Sequence, residues 1–568
     1  MRDQMIFRPA LLALALCLPS ATMAQDAGAY LAAQNAASSS DHRAATYWLD
    51  RALQADSGNP DLLEGSVVAN IASNNFPAAI AVAQTMGSSG LQSPAMYIAL
   101  LDQQAKAKDW AAILDWKMDQ QPIGALLENL VKSWALLGQG KPAAAMKRFD
   151  AIAATQGLES FGLYHKALAL ASVGDMEGAE AIFSDADHPL ALTRRGVLAH
   201  IQILSQLDRN EDAIDLATEA FLPSDPTYKA VTAELRAGET LDWTVARNAS
   251  DGVSEVFYTL ASALQGEAGD TFTLLYARVA TDLRPDQAEA QILVGELLDQ
   301  QGQTELAIDA YDQVSPDDML HEAAEVARAD ALFGNGQQDE ALAVLATLID
   351  ERPDALGPQV GYADALRRME NYKDALPAYD RALRTIGRPS AQYWPVLFSR
   401  GIVHERLGQY TESEADMRAA LELQPDQPDV LNYLGYALVE QGRKLDEALD
   451  MIQRAVEAEP DSGAIQDSLG WALFQLGRFD EAVEPMVQAV ALEPSDPIIT
   501  DHLADVYWAV GRRAEARFQW RRALSFDPTE AEAERIHKKL ELGLEQVLTD
   551  EGKTDLATKI TDAHDNTN

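Results

Sequence analysis

The chain has 568 residues, 47% of them hydrophobic, and a formal charge of −43. Hydrophobic content at that level rules out a chain disordered throughout, and such acidity rules out nucleic-acid binding by the bulk surface, which depends on basic residues neutralising phosphates. One cysteine permits neither a disulfide framework nor a cysteine-rich metal site.

The first element reads as a leader. Arg2 and Arg8 flank a basic start, residues 11–18 are apolar, and Pro19 and Ser20 break the stretch. Thr22, Met23 and Ala24 then offer small residues to a signal peptidase. Residues 1–24 are therefore expected to be a signal peptide, cleaved after Ala24 to leave Gln25 first. The apolar run is far shorter than the roughly 20 residues that cross a bilayer, and no later stretch is long and apolar enough. Lipidation at Cys17 is the weaker alternative, because bulky Leu16 stands where a small residue is wanted. Peripheral or lipid-mediated membrane association stays open.

Residues 25–250 show a faint repeat. Ala167 and Ile201 stand 34 residues apart, as do Ala179 and Ala213. The run from Gly174 to Ala179 reads as a repeat turn, with Phe183 packing after it, and Ala45, Leu49 and Ala52 suggest another second helix. Pro223, Pro226, Gly238, Asn248 and Gly252 mark a connector, and a boundary is expected near residue 250. The segment is read as divergent helical repeats, or else as a separate α-helical domain.

From 251 to 528 the period is plain. Small residues recur at Ala261, Gly295, Ala329, Ala363, Gly401, Gly435, Gly470 and Ala504, separated by 34, 34, 34, 38, 34, 35 and 34 residues. A second series, Ala307, Ala341, Ala375, Ser413, Ala448, Ala482 and Ala516, keeps step, including at the 38. Gly302, Gly336, Gly408, Gly442, Gly477 and Gly511 take a turn position, where glycine enters the left-handed region at no steric cost. Pro353, Pro425, Pro460, Pro494 and Pro528 close the units, since proline cannot continue a helix. Departures are local: Glu370 replaces a turn glycine, one residue is added near Lys444, and residues 384–393 form a longer connector. A helix–turn–helix of 34 residues with these markers resembles the tetratricopeptide repeat (TPR). The expected fold is all-α, a TPR solenoid coiled as a right-handed superhelix.

Beyond Pro528, Ile536, Leu540, Leu544, Val547 and Leu548 form an apolar stripe, read as a capping helix over 529–548, because a terminal repeat leaves an apolar face uncovered. Residues 549–568 are polar and expected to fray.

Motifs for chemistry are missing. The segment beginning His321-Glu322 lacks the second histidine of a zinc helix, which Glu325 displaces. Gly138-Gln139-Gly140-Lys141 has the wrong spacing for a phosphate loop, and no Gly-x-Ser-x-Gly elbow occurs. His502, near Asp501 and Asp505, reads as surface or concave-face polarity. No catalytic residue, metal site or cofactor is predicted.

In such an array the first helices line a concave face that binds partners. Counting from the small residues, the side chains turned toward it are Phe398, Ile402 and Glu405, then Asn432, Tyr436 and Val439. Asp467, Trp471 and Phe474 follow, then Asp501, Asp505 and Trp508. The expected partner-binding set is Phe398, Asn432, Tyr436, Asp467, Trp471, Phe474, Asp501, Asp505 and Trp508. Large aromatics on such a stripe suit binding hot spots; packing between neighbouring repeats is the alternative for Trp471 and Trp508. The three aspartates argue against a clamp for a peptide's terminal carboxylate and favour an apolar segment flanked by Lys or Arg.

Several stretches carry a wider likeness: Arg400-Gly401-Ile402 with His404-Glu405-Arg406, Leu431 to Tyr436, Asp467 to Trp471, Asp501 to Trp508, and Arg517-Phe518-Gln519-Trp520. Over residues 394–524 they resemble a family of exported proteobacterial TPR proteins. More distantly, they resemble the outer-membrane TPR lipoprotein that serves as adaptor for a periplasmic carboxy-terminal processing protease. The resemblance implies a periplasmic location and a scaffold of the bacterial cell envelope that binds a protein or peptide partner. Two alternatives remain: an adaptor for a periplasmic processing protease, and an enzyme with an unrecognised site in the N-terminal half.

Overall fold

The computed structural model describes residues 21–565 except 117–122, 224, 267–269 and 388–389. Residues 1–20 of the expected leader, Cys17 among them, lie outside the described residues. Those described form helices and turns, without a strand. In chain order the first helices are α1 (Ala21–Ser38), α2 (His42–Ala55), α3 (Pro60–Ala72), α4 (Phe76–Ser88), α5 (Pro94–Lys106), α6 (Trp110–Asp115), α7 (Ala125–Gly138), α8 (Pro142–Ala153), α9 (Glu159–Ser172), α10 (Met176–Phe183) and α11 (Arg194–Gln206). Next come α12 (Asn210–Ala220), α13 (Pro226–Ala237), α14 (Ala249–Leu264), α15 (Asp270–Leu283), α16 (Ala288–Gln300), α17 (Thr304–Tyr311), α18 (His321–Gly334), α19 (Gln338–Glu351), α20 (Leu356–Arg368) and α21 (Tyr372–Ile386). The last are α22 (Trp394–Arg406), α23 (Tyr410–Leu423), α24 (Pro428–Glu440), α25 (Leu445–Ala458), α26 (Gly463–Leu476), α27 (Phe479–Leu492), α28 (Pro497–Ala509), α29 (Arg513–Ala523), α30 (Glu530–Leu542), α31 (Leu544–Asp550) and α32 (Thr554–Asp565).

The chain divides into two compact units after Gly361, not near residue 250 as the connector suggested. The reason lies in α14 and α15, which pack against α3, α5, α7 and α9, the first helices of four successive pairs. One apolar core therefore runs from Leu63 to Ala331. Gly252 on α14 admits the buried Trp134 ring so closely that a Cβ there would lie 2.1 Å from it. The buried Arg278 on α15 reaches back to the Ala72 carbonyl at 3.1 Å. Tyr164 donates to Glu255 at 2.9 Å, and Arg195 pairs with the same carboxylate at 2.7 Å.

In the second unit the pairs α22–α23, α24–α25 and α26–α27 repeat one contact. The small residue of the first helix faces a large residue of the second. A Cβ on Gly401, Gly435 or Gly470 would lie 2.8, 2.7 or 2.6 Å from Met417, Ile452 or Met486. Ordinary packing cannot hold such distances, so the helices cross closely only because the side chain is missing. The turn position is left-handed throughout, and Glu370 adopts φ +58° where other units have glycine. Lys444, at the added residue, is left-handed too, with φ +49°.

The tail differs from its expectation. Residues 554–565 form α32, with Leu556, Ala557 and Ile560 buried against the unit's core. Three apolar residues at helical spacing outweigh the polar composition that suggested fraying.

Candidate partner-binding face

On α22, α24, α26 and α28, the small residue turned to the second helix leaves a stripe three before, one after and four after it. Helical geometry places those three positions on one face. The nine predicted residues all belong to this stripe.

Its first part is half-open. Phe398, Asn432 and Tyr436 are half-buried. Phe398 meets Tyr433 edge-on, ring centroids 5.7 Å apart. The Tyr433 hydroxyl donates to Glu405 at 3.3 Å; burial and then the Glu405 charge push its phenol up to about 12. Burial, then the Glu440 and Asp467 carboxylates, also push the Tyr436 phenol upward. Asn432 Oδ1 is enclosed and accepts no hydrogen bond among the described residues.

The second part is closed over. Trp471 is 4% exposed and Phe474 is sealed. The Trp471 ring stacks between Phe474, at 5.0 Å, and His502, at 4.0 Å, and its Nε1 donates to Glu440 at 2.5 Å. His502 is not surface polarity: it is buried, and its Nδ1 meets Asp467 across the repeat boundary at 3.0 Å rather than the aspartates of its own helix. Burial lowers its pKa, but the Asp467 charge and hydrogen bond, with the Asp501 and Asp505 charges, together raise it above the ordinary value.

Asp501 and Asp505 already hold cations. Lys539 of α30 has no exposed surface, and its Nζ lies 2.7 Å from a carboxylate oxygen of each. Arg535, one turn earlier, stands 3.5 and 3.8 Å from the same carboxylates. Asp505 also accepts from Trp520 Nε1 at 2.9 Å, and Trp508 donates to Glu545 of α31 at 2.8 Å. The acidic stripe is thus neutralised within the chain, and every residue of α28 from Ile499 to Ala509 is buried. Sequence reading missed Lys539 and Arg535, although their separation of four positions beside Ile536 and Leu540 puts them close to the apolar stripe of α30.

The first unit holds a separate cleft of about 400 Å³, where an N-terminal enzyme site would be sought. Arg194, Arg195, Arg247 and Arg284 line it with Asp286, Glu289 and Asp318. Its four arginines are engaged: Arg194 with Asp225, Arg195 with Glu255 and Glu289, Arg247 with Asp251 and Asp286, Arg284 with Asp286 and the Val245 and Thr244 carbonyls. Ion pairs of this kind brace the walls of a cleft.

Comparison with known proteins agrees with the geometry of the pairs. Residues 326–392, 398–463 and 443–497 match one family model described as tetratricopeptide repeat, and 500–522 match another. A TPR repeat-containing protein of Pseudomonas aeruginosa is 30% identical over 191 residues, 33% of this chain and 31% of that protein. The chain thus spans about a third of the relative's length. Among solved structures, the Cut9–Hcn1 hetero-tetramer of the APC/C is 15% identical, over 92% of this chain and 98% of that one, with a TM-score of 0.40. YrrB, described as a TPR protein with an unusual peptide-binding site, is 22% identical over 34% and 97%, with a TM-score of 0.28. The chain is all-α, and the matched repeats, together with the close-crossing helix pairs they cover, make residues 326–522 an array of tetratricopeptide repeats.

Proposed function

We propose that the protein is a non-catalytic scaffold of the bacterial cell envelope that holds a protein or peptide partner on the inner helices of its second unit. The observation that carries this reading is the half-open stripe of Phe398, Asn432 and Tyr436. Its aromatic surface suits an apolar anchor. Asp467, Trp471, Phe474, Asp501, Asp505 and Trp508 act as the layer behind and beside it, with Glu405 and Glu440 supplying negative charge. An apolar segment flanked by Lys or Arg fits that chemistry.

The test is site-specific photocrosslinking in cells. A crosslinker at position 398 or 436 is expected to capture the same protein, and one at the exposed Ala415 of α23 is expected to capture none. Capture from position 415 alone would sink the reading. If the partner is a periplasmic processing protease, that protease co-purifies with the tagged protein and is activated by it. Catalysis in the first unit, the remaining alternative, has the arginine-lined cleft as its place; Arg284→Gln would then abolish a turnover that the stripe variants leave intact.

A further inference from the structure

We propose that α30 is an internal stand-in for the partner: the face of α28 accepts a helix bearing two cations one turn apart, and α30 must leave before the partner's helix can bind there. This rests on the reading of the inner helices as the binding surface.

The seat is specific. Asp501 and Asp505 are one turn apart on α28, and Arg535 and Lys539 are one turn apart on α30, so two helices meet with matched charge spacing. Trp520 lies beside the lysine, its ring 6.0 Å from Nζ, and fixes Asp505 through its indole nitrogen. Such a buried pair of carboxylates is costly unless a cation fills it, so the site is built to be occupied.

The occupant is held chiefly by its two cations rather than by apolar burial. Along its 13 residues α30 buries only Ile536 and Lys539, and a capping box between Thr529 and Glu532 satisfies its first-turn N–H groups without help from α28. It is flanked by left-handed backbone at Asp527 and by Gly543 at φ +87°. The anchoring surface lies further on, in Leu544, Val547 and Leu548 of α31 and Leu556, Ala557 and Ile560 of α32. Removing α30 from its seat breaks the Arg535–Glu551 pair at 2.7 Å and the hydrogen bond from Arg517 to the Leu540 carbonyl at 2.8 Å, but leaves the apolar burial of α31 and α32 in place. A partner helix presenting Lys or Arg at the same separation finds in Asp501 and Asp505 the contacts that α30 gives up.

The probe is a labelled peptide of residues 528–543, alongside the same peptide with glutamine at both cationic positions. In the full-length wild-type protein, excess native peptide is expected to speed hydrogen exchange in residues 530–542 while helices α22–α27 stay protected; the glutamine peptide is expected to do nothing. Full-length protein carrying Arg535→Gln and Lys539→Gln is expected to bind the native peptide about tenfold tighter than wild type does, and adding Asp501→Asn and Asp505→Asn should remove that binding. Unchanged exchange in the wild type with no binding to the double variant would make α30 a permanent cap and overturn the proposal. Exposed α30 amides without peptide binding would overturn it equally. The assay reads only α28, so it can fail while crosslinks from positions 398 and 436 succeed, and the reverse.

Discussion

His502 lies flat on Trp471, centroids 4.0 Å apart and planes 14° from parallel, while its Nδ1 holds Asp467 at 3.0 Å. One imidazole thus joins an aromatic stack to an ion pair between successive repeats. Burial lowers its pKa, but the charges of Asp467, Asp501 and Asp505 together raise it, which makes the contact pH-dependent. The stabilisation is complete below the ordinary histidine range and is lost as pH rises through the raised value. The melting-temperature difference between wild type and Asp467→Asn should be largest near pH 6 and shrink by pH 9. A difference independent of pH would rule out a protonated His502.

Lys539 should dominate the stability of the C-terminal cap. Lys539→Met leaves two buried carboxylates without their cation, which costs about 3–5 kcal/mol in comparable buried pairs. Adding Asp501→Asn and Asp505→Asn should recover much of that loss in denaturant unfolding. Failure to recover would mean that the lysine's packing, not its charge, holds the helix.

Two glycine substitutions should separate rigid from yielding neighbours. Gly252→Ala drives a Cβ into the Trp134 indole at 2.1 Å, and overpacking of this kind costs about 1–3 kcal/mol. Gly470→Ala meets the flexible Met486 side chain at 2.6 Å; the gain of up to about 1 kcal/mol in helix propensity applies at both helical sites, so the yielding of the neighbour decides the difference. Thermal unfolding should find the first variant clearly worse than the second.

Asp102 is sealed beside Asp282, and burial followed by that neighbour's charge pushes its carboxyl up to about 8. The unfolded chain ionises this group near pH 4 while the folded chain keeps its proton, so it lowers stability as pH rises from about 4 to 8. The slope approaches about 1.4 kcal/mol per pH unit. Asp102→Asn should therefore stabilise the protein at pH 7 and change little at pH 4. Equal effects at both pH values would contradict the raised carboxyl.

Export makes a simpler prediction. The intact mass of protein from the periplasm should correspond to a chain starting at Gln25, and Cys17→Ala should leave its fractionation unchanged. Release from membranes by that substitution would establish a lipid anchor instead.

The repeat pairs were legible because Gly470, Gly477 and Pro494 answer local demands: a close crossing, a left-handed turn and a helix stop. Each demand recurs at close to 34 residues, so a single sequence displays it many times: eight small residues at the crossings, six turn glycines and five closing prolines. The stripe on the inner helices followed from the same register. What covers that stripe did not follow. Lys539 on a helix reads as solvated unless its acidic partners, 34 and 38 residues away, are already placed beside it. His502 likewise takes its partner from the preceding repeat, not from the aspartates next to it in sequence. The boundary near 250 misled for the same reason: Gly238 and Asn248 are true loop signals, yet the helix after them packs backward into the first unit.

That backward packing bears on how the chain is made. In a repeat array each pair ordinarily rests only on its immediate neighbours. Here Arg278 closes on the Ala72 carbonyl across 206 residues, and α14 and α15 are the cover for four earlier pairs. As the chain emerges during synthesis, α3 to α9 present an apolar surface whose cover has not yet been made. The first unit is therefore a long-range folding problem in a repeat architecture, and truncating it before residue 249 removes the centre of its core rather than its end.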